Sequence, residues 1–381
     1  MSIGLKAPMI RQGDDLVKIV TDVVLNSTME KTDLGTTYDL NDKDVIGITE
    51  SVVARAQGNY VTVDDIVQYL NGMFIASRKN LVLYSPIMSR NRFSLILKAF
   101  ARYADAITII YDGKYDEQGN PNEGINPFTG VDIKEYYREI CEKESCKFDF
   151  KPNWNGSVSD SDVMYYIDGD KWHKVFGEFN KGEIFIDCRM HPQHTNNATT
   201  LEDLMCMPVV RADGTKSGYN NIWGLLGSNK ADEETLKLFP RHVETINLVC
   251  DIQKSIKQAT GKTVEVMVYG DGCFKDPVGG IWEWADPEST VAFTDGLTGT
   301  PNEIKIKYFA DSKYKDLNGE ELERAIDKEI QLHKNKNLVG SMISEGTTPR
   351  RYIDLLASLM DLTTGSGMRK TPIVLVKNYF D

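Results

Sequence analysis

Asp44-Val45-Ile46-Gly47-Ile48-Thr49 is a short apolar run bounded by polar residues, and it reads as a strand buried in a sheet. Outward from it the chain alternates in type. The spacing predicts a helix from Val61 to Ser77, opened by Thr62 and Asp64, and a second strand over Asn80 to Tyr84. Ser89 then caps an expected helix carrying Arg90, Phe93, Ile96, Leu97 and Phe100, and Ala106 to Tyr111 reads as a third strand. Strand, helix, strand, helix, strand is the alternation of an α/β layer, in which helices cover a sheet.

The C-terminal part repeats this logic. A helix from about Arg241 to Ala259 puts Ile246, Val249, Ile252 and Ile256 on one face, and Thr260-Gly261-Lys262 hands over to a strand from Val264 to Tyr269. A strand over Ile304 to Phe309, helices near Glu320 to His333 and Arg350 to Asp361, and a closing strand over Pro372 to Val376 complete the pattern. Between the two parts, Gly113 to about Gly130 is rich in Gly, Asn, Pro and Asp and reads as a long loop. Beyond it, to about Asp213, only the helix Ile133 to Lys143 and the strand Glu183 to Asp187 stand out. The expected class is α/β, an α+β arrangement of helices on mixed sheets with a large insertion. Its expected division is an N-terminal α/β part (1–112), an insertion or lid (113–215) and a C-terminal α/β part (216–381).

Composition narrows the function. A net charge of −12 argues against nucleic acid as a partner, because phosphate backbones need a basic surface. No apolar run approaches the length that spans a bilayer, and the opening residues lack the apolar core of a secretion signal. Six cysteines (Cys141, Cys146, Cys188, Cys206, Cys250 and Cys273) have no framework spacing and read as reduced thiols, so the expected compartment is the cytoplasm.

Four constellations carry candidate chemistry. After the strand ending at Tyr269, a glycine-rich loop holds Asp271, Asp276, Glu283 and Asp286. Acids beyond the carboxyl end of a strand suit Mg²⁺ or Mn²⁺, hard cations that take oxygen ligands, and the plain alternative is an acidic surface loop. Ser344 to Arg351 and Thr363 to Pro372 combine hydroxyls, glycine amides and cations, a chemistry for phosphate oxygens that caps and turns also use. Ser85 to Phe93 places Arg90 and Arg92 at a helix start, suited to a carboxylate or phosphate or simply to solvent. Cys188-Arg-Met-His191-Pro-Gln-His194 has three possible zinc ligands but no fourth in a fixed frame, which favours ordinary loop histidines or substrate contacts. There is no P-loop, dinucleotide glycine fingerprint, nucleophile elbow or HExxH.

In this order the pieces resemble the coenzyme F420-0 γ-glutamyl ligases, which add glutamate to a deazaflavin coenzyme with GTP and divalent metal. Ala7 to Leu16 is similar to the family's opening, so the resemblance assigns Pro8, Met9 and Ile10 to the nucleotide site. Residues 44–58 resemble its first strand and following turn, with Glu50, Ser51 and Arg55 where the family usually has Ser, Thr and a nucleotide-contacting Lys. Gly224 to Asn229 resembles its Ser-Asn motif, Ala259 to Asp271 its TGK-strand-Asp metal motif, and Ile353 to Lys377 its C-terminal helix, glycine loop and strand. The resemblance implies Asp271 as a metal ligand assisted by Asp276 or Glu283. It implies Arg55, Asn229, Gly365, Ser366 and Gly367 around the nucleotide, with Arg90 and Arg92 on a substrate carboxylate.

The implied reaction is GTP- or ATP-dependent ligation of L-glutamate to a small carboxylate acceptor through an acyl phosphate, in a homodimer. Two departures stand out: Leu226 replaces a metal aspartate, and Gly365 to Lys370 lacks the family's acids. They keep two other readings open, a nucleotide- or metabolite-binding protein without ligation and a metal-dependent phosphohydrolase.

Overall fold

A computed structural model describes residues 1–29, 37–73, 80–84, 86, 88, 93–111, 113–115, 122–125, 130–152, 165–168, 171–174, 183–187, 199–200, 209–210, 216–217, 227–270, 273–275, 282–284, 289–338, 340–344, 351–364 and 369–380. Its class is the expected one, helices packed on mixed sheets. The apparent single layer of the N-terminal part is, however, divided between two sheets.

The first sheet runs in the order Ser2–Leu5, Ile373–Val376, Val45–Thr49, Glu265–Tyr269, Thr290–Phe293. Val45–Thr49 lies antiparallel to Ile373–Val376 and parallel to Glu265–Tyr269. Period-two alternation decides what each face buries. Ile46, Ile48, Val266, Val268, Ile373 and Leu375 join the core beneath the helices Leu16–Met29 and His242–Thr260. Val45, Met267, Tyr269, Val374 and Val376 join the opposite core, under the helix Tyr352–Thr364. Both faces are covered, which is why these strands read as continuous apolar runs.

The second sheet is parallel, in the order Glu183–Asp187, Asn80–Tyr84, Ala106–Tyr111, Lys147–Pro152, with the two-residue strand Thr199–Thr200 at its edge. In chain order Asn80–Tyr84 comes first, and the chain adds two strands on one side before Glu183–Asp187 takes the other. Such a reversal is a topological switch point, where open α/β sheets tend to bind ligands beyond the strands' carboxyl ends. The sheet takes strands from both sides of residue 112. Its core includes Leu81, Leu83, Ile107 and Ile109 with Leu97, Phe100, Tyr137 and Cys141 from the helices Phe93–Tyr103 and Ile133–Lys143.

A three-stranded sheet, Gly227–Lys230 beside Thr235–Leu238 beside Tyr60–Thr62, adds Leu236, Leu238 and Val61 to the same core. Arg102 reinforces the junction, meeting Glu144 through two 2.9 Å hydrogen bonds and Asp64 at 2.7 Å.

Side-chain caps explain some helix starts. Thr62 and Asp65 form a reciprocal cap, Asp65 N–H donating to Thr62 Oγ1 (3.1 Å) and Thr62 N–H to Asp65 Oδ2 (2.8 Å), and the helix runs Val63–Met73. Asp132 accepts from the backbone of Lys134 and Glu135 and opens Ile133–Lys143. Ser89 lies outside the described residues.

Three expectations need correction. Ile304 to Phe309 is no strand: a lone bridge joins Ile304 to Ser344, and Ile306–Asp311 is a short helix. The alternating Ile-Lys-Ile-Lys pattern misleads because Ile306 and Tyr308 stay exposed and Phe309 alone is buried there. On His242–Thr260, Ile246 is exposed and Thr245 takes its place on the inner face. The helix Glu50–Gln57 stands where residues 44–58 read as a strand and a following turn, and a further helix, Leu16–Met29, follows the opening segment Ala7 to Leu16. Among the described residues no helix is long and apolar enough to cross a membrane.

Gly47 is a steric requirement of this packing. A Cβ there would lie 2.1 Å from Met360 Sδ and 3.1 Å from a Tyr269 ring carbon, both side chains being buried. Gly47→Ala is therefore expected to cost about 1–3 kcal/mol by overpacking, measured by urea unfolding. Met360→Ala in the same chain should recover part of that loss, and additive losses would argue against the contact.

Candidate functional site

The carboxyl ends of the two parallel strands in the first sheet meet at Thr49 and Tyr269, which are register partners. Beyond them opens a cleft of about 420 Å³. Its walls come from Ala7 to Ile10, from Thr49, Ser51, Val52 and Arg55, from Tyr269, and from Asp361, Thr364 and Lys370 to Pro372.

Each wall is held by bonds distant in sequence. Ala7 N–H donates to Lys370 O (3.0 Å) and Thr49 N–H to Pro372 O (3.1 Å), so the opening segment and the closing strand's approach form one rim. Gly13 N–H donates to Ala56 O (2.8 Å). Gly58 ends the helix Glu50–Gln57 in the left-handed region (φ 61°), and Gln12 packs so closely there that a Cβ would lie 2.5 Å from its Nε2. The opening segment is thereby clamped along that helix, whose Ser51, Val52 and Arg55 face the cleft.

At the base, Tyr269 OH hydrogen-bonds Thr364 Oγ1. Thr364 gives its own hydroxyl proton to Met360 O (2.8 Å), so the tyrosine is the donor. Thr371 Oγ1 donates to Thr364 O (2.8 Å) and closes the link between the helix end and the last strand.

The lining mixes apolar Pro8, Met9, Ile10 and Val52 with the hydroxyls of Thr49, Ser51, Thr364 and Thr371 and the charges of Arg55, Lys370 and Asp361. Met9 is 70% exposed while Ile10 is 4% exposed, so one apolar side chain sits at the mouth and the next anchors the segment. Thr364 and Thr371 give their protons to backbone carbonyls, which leaves Thr49 and Ser51 with the two cations as groups suited to a polyanion, and the apolar wall suits a flat ring.

Pro8, Met9, Ile10, Ser51 and Arg55 are thus brought together on one cleft. Glu50 is buried behind the wall, its Oε1 3.6 Å from Lys237 Nζ. Asn229 is not among the lining residues: it is exposed on the strand Gly227–Lys230 as register partner of Lys237. Asp271, Asp276, Arg90, Arg92, Gly365, Ser366 and Gly367 lie outside the described residues, as do Leu226 and the segment from Cys188 to His194. Glu283 lies on a two-stranded ribbon, Cys273–Lys275 with Trp282–Trp284, opposite Phe274. Along the chain, Asp271 follows Tyr269 by two residues and the glycine segment joins Thr364 to Lys370, and these flanking residues line the cleft. Lys370 belongs to the phosphate-suited segment Thr363 to Pro372, whereas Tyr269 and Asp361 went unassigned in the sequence, where Tyr269 reads as strand core and Asp361 as a helix end. A tyrosine closing a buried strand just before an aspartate was the available signal.

Tyr269→Phe removes the buried donor to Thr364 without changing the ring. It should cost about 1 kcal/mol of stability, measured by chemical denaturation, and an unchanged midpoint would count the bond as energetically idle.

A search of curated proteins finds no match. A comparison with protein families matches F420-0:Gamma-glutamyl ligase over residues 4–378, a span that contains every segment of the cleft. The chain therefore belongs to the F420-0:Gamma-glutamyl ligase family.

Proposed function

We propose that the protein is a nucleoside-triphosphate- and divalent-metal-dependent ligase that joins L-glutamate to a carboxylate acceptor, a deazaflavin of the F420 type, through an acyl phosphate. One observation carries this reading. Pro8 to Ile10, Ser51 with Arg55, and Lys370 to Pro372 are far apart in sequence yet line one cleft rich in hydroxyls and cations. Those features fit the base and phosphates of GTP or ATP.

A carboxylate is a poor electrophile. In the first step its oxygen attacks the γ-phosphorus, the bond to the β-phosphate oxygen breaks, and the diphosphate leaves. In the second step the amine of glutamate attacks the acyl carbon, inorganic phosphate departs and the amine gives up its proton. Phosphoryl transfer asks the protein for alignment and neutralised charge more than for covalent participation.

Arg55 and Lys370 neutralise phosphate oxygens, and the hydroxyls of Ser51 and Thr49 align them. Gly365, Ser366 and Gly367 join this cradle. Carboxylates suit the metal, since Mg²⁺ and Mn²⁺ take oxygen ligands and commonly share them with phosphates. Asp361 stands on the cleft wall, and we assign Asp271, Asp276 and Glu283 as ligands. A divalent cation held there would supply further charge neutralisation on the transferring group. Arg90 and Arg92 follow the strand Asn80–Tyr84 in sequence. That strand and Glu183–Asp187 flank the switch point of the parallel sheet, which supports assigning the two arginines to the acceptor carboxylate.

Oxygen-18 in the acceptor carboxylate should appear in released phosphate when the protein is incubated with Mn²⁺, GTP or ATP, glutamate and acceptor. Amide formed without label transfer would rule out the acyl phosphate. Arg55→Ala should raise the KM for the nucleotide by about tenfold or more, the equivalent of about 1.4 kcal/mol of lost phosphate contact, and an unchanged KM would remove Arg55 from the site.

A further inference from the structure

Lys237 enters none of the roles assigned so far, yet its ammonium lies directly behind the cleft. It projects from the strand Thr235–Leu238, its side chain is only 12% exposed, and its Nζ is 2.6 Å from Ser51 Oγ and 3.6 Å from Glu50 Oε1. Glu50 and Ser51 are the first two residues of the helix that begins after Thr49. The Glu50 side chain is 7% exposed, and Ser51 lines the cleft.

The chemistry of these groups fixes a direction. An ammonium can only donate, so Ser51 Oγ is the acceptor of that bond. The single serine proton must then point away from Lys237, and Ser51 offers the cleft a donor. Without the ammonium, the adjacent Glu50 carboxylate becomes the natural acceptor for that proton, and Ser51 would turn lone pairs to the cleft. A buried carboxylate behind the wall would also repel any anion in front of it, a repulsion that Lys237 cancels at 3.6 Å. Hydrogen-bond polarity and charge therefore change together.

We propose that Lys237 is a positioning residue that sets Ser51 as a hydrogen-bond donor and neutralises Glu50, so that this end of the cleft accepts an anionic phosphate oxygen. The inference rests on reading the cleft as the triphosphate site, and it adds a residue from a separate sheet to that site's machinery. It also explains why a glutamate is tolerated at the first turn of a helix that faces a polyanion: the pair with Lys237 makes the position neutral.

The test is direct binding, by calorimetry, of GTP, ATP and inorganic tripolyphosphate to the full chain with Mg²⁺, with no turnover required. Lys237→Met should weaken tripolyphosphate and nucleotide at least tenfold. Lys237→Arg should stay within about threefold of wild type, because the donor and the charge remain. The double variant Glu50→Gln with Lys237→Met should recover most of the affinity, since it removes the negative charge that Lys237 neutralises. Circular dichroism and thermal melting identify variants that fold.

A folded Lys237→Met that binds tripolyphosphate like wild type overturns the proposal. So does a double variant as weak as the single one, which would make Lys237 a simple structural prop. If wild type binds tripolyphosphate with this order of variants but forms no amide, the inference stands and the ligase reading falls. Wild type that binds none of the three anions overturns both.

Discussion

Everything at the cleft depends on the strand Val45–Thr49 being hydrogen-bonded on both sides by segments hundreds of residues away. Glu265–Tyr269 pairs with it in parallel and Ile373–Val376 antiparallel, so three distant parts of the chain share one register. The register is pinned at its start. Asp44 is 1% exposed, pairs with Lys377 at 2.7 Å, and accepts from the backbone of Asn41 and Asn378. A slip of one residue would move Ile46 and Ile48 from one core to the other and would put a side chain in place of Gly47 against Met360. With the register set, Thr49 and Tyr269 must end side by side, and their chain continuations must enter the same space.

That constraint also explains the mixture of groups in the cleft. The strands are buried on both faces, so polar side chains are confined to their ends and to the segments that cap them. Thr49, Thr364 and Thr371 sit at such ends, and backbone bonds between Ala7 and Lys370 and between Thr49 and Pro372 draw the caps together. The apolar lining has the same origin: Ile10 anchors the opening segment in the core, which leaves Pro8 and Met9 at the rim. The parallel sheet stands apart from this core, joined through the three-stranded sheet that carries Lys237. The strand that reaches behind Ser51 therefore also contributes Leu236 and Leu238 to the second core.

The parts of the fold legible in the sequence share one property, that neighbouring residues decide them. The apolar run at 45–48, the strand at 106–111 and the cap at Thr62 each speak through period or local hydrogen bonding. Where the signal was tertiary the reading failed. Ile304 to Phe309 has the period of a strand, but among described residues only one bridge pairs it, and a helix follows. Lys147–Pro152 passes unremarked because it lies at the sheet edge with Lys147, Asp149 and Lys151 along it, a polar edge strand that only pairing with Ala106–Tyr111 defines.

The same division holds for the site. The sequence by itself determined the α/β class, the residue types suited to phosphate and metal, and the order of motifs that marks the family. It also put Ser51 and Arg55 on the turn of chain after the first buried strand, because that placement follows from neighbours in the chain. Only the tertiary structure decided that the opening segment and the approach to the last strand share a rim, that Tyr269 and Thr364 close its base, and that Lys237 stands behind Ser51. Local propensity acts over a few residues, whereas strand pairing across hundreds of residues depends on which apolar faces find each other. Contacts of that kind leave no period in the sequence, since either partner would read the same without the other.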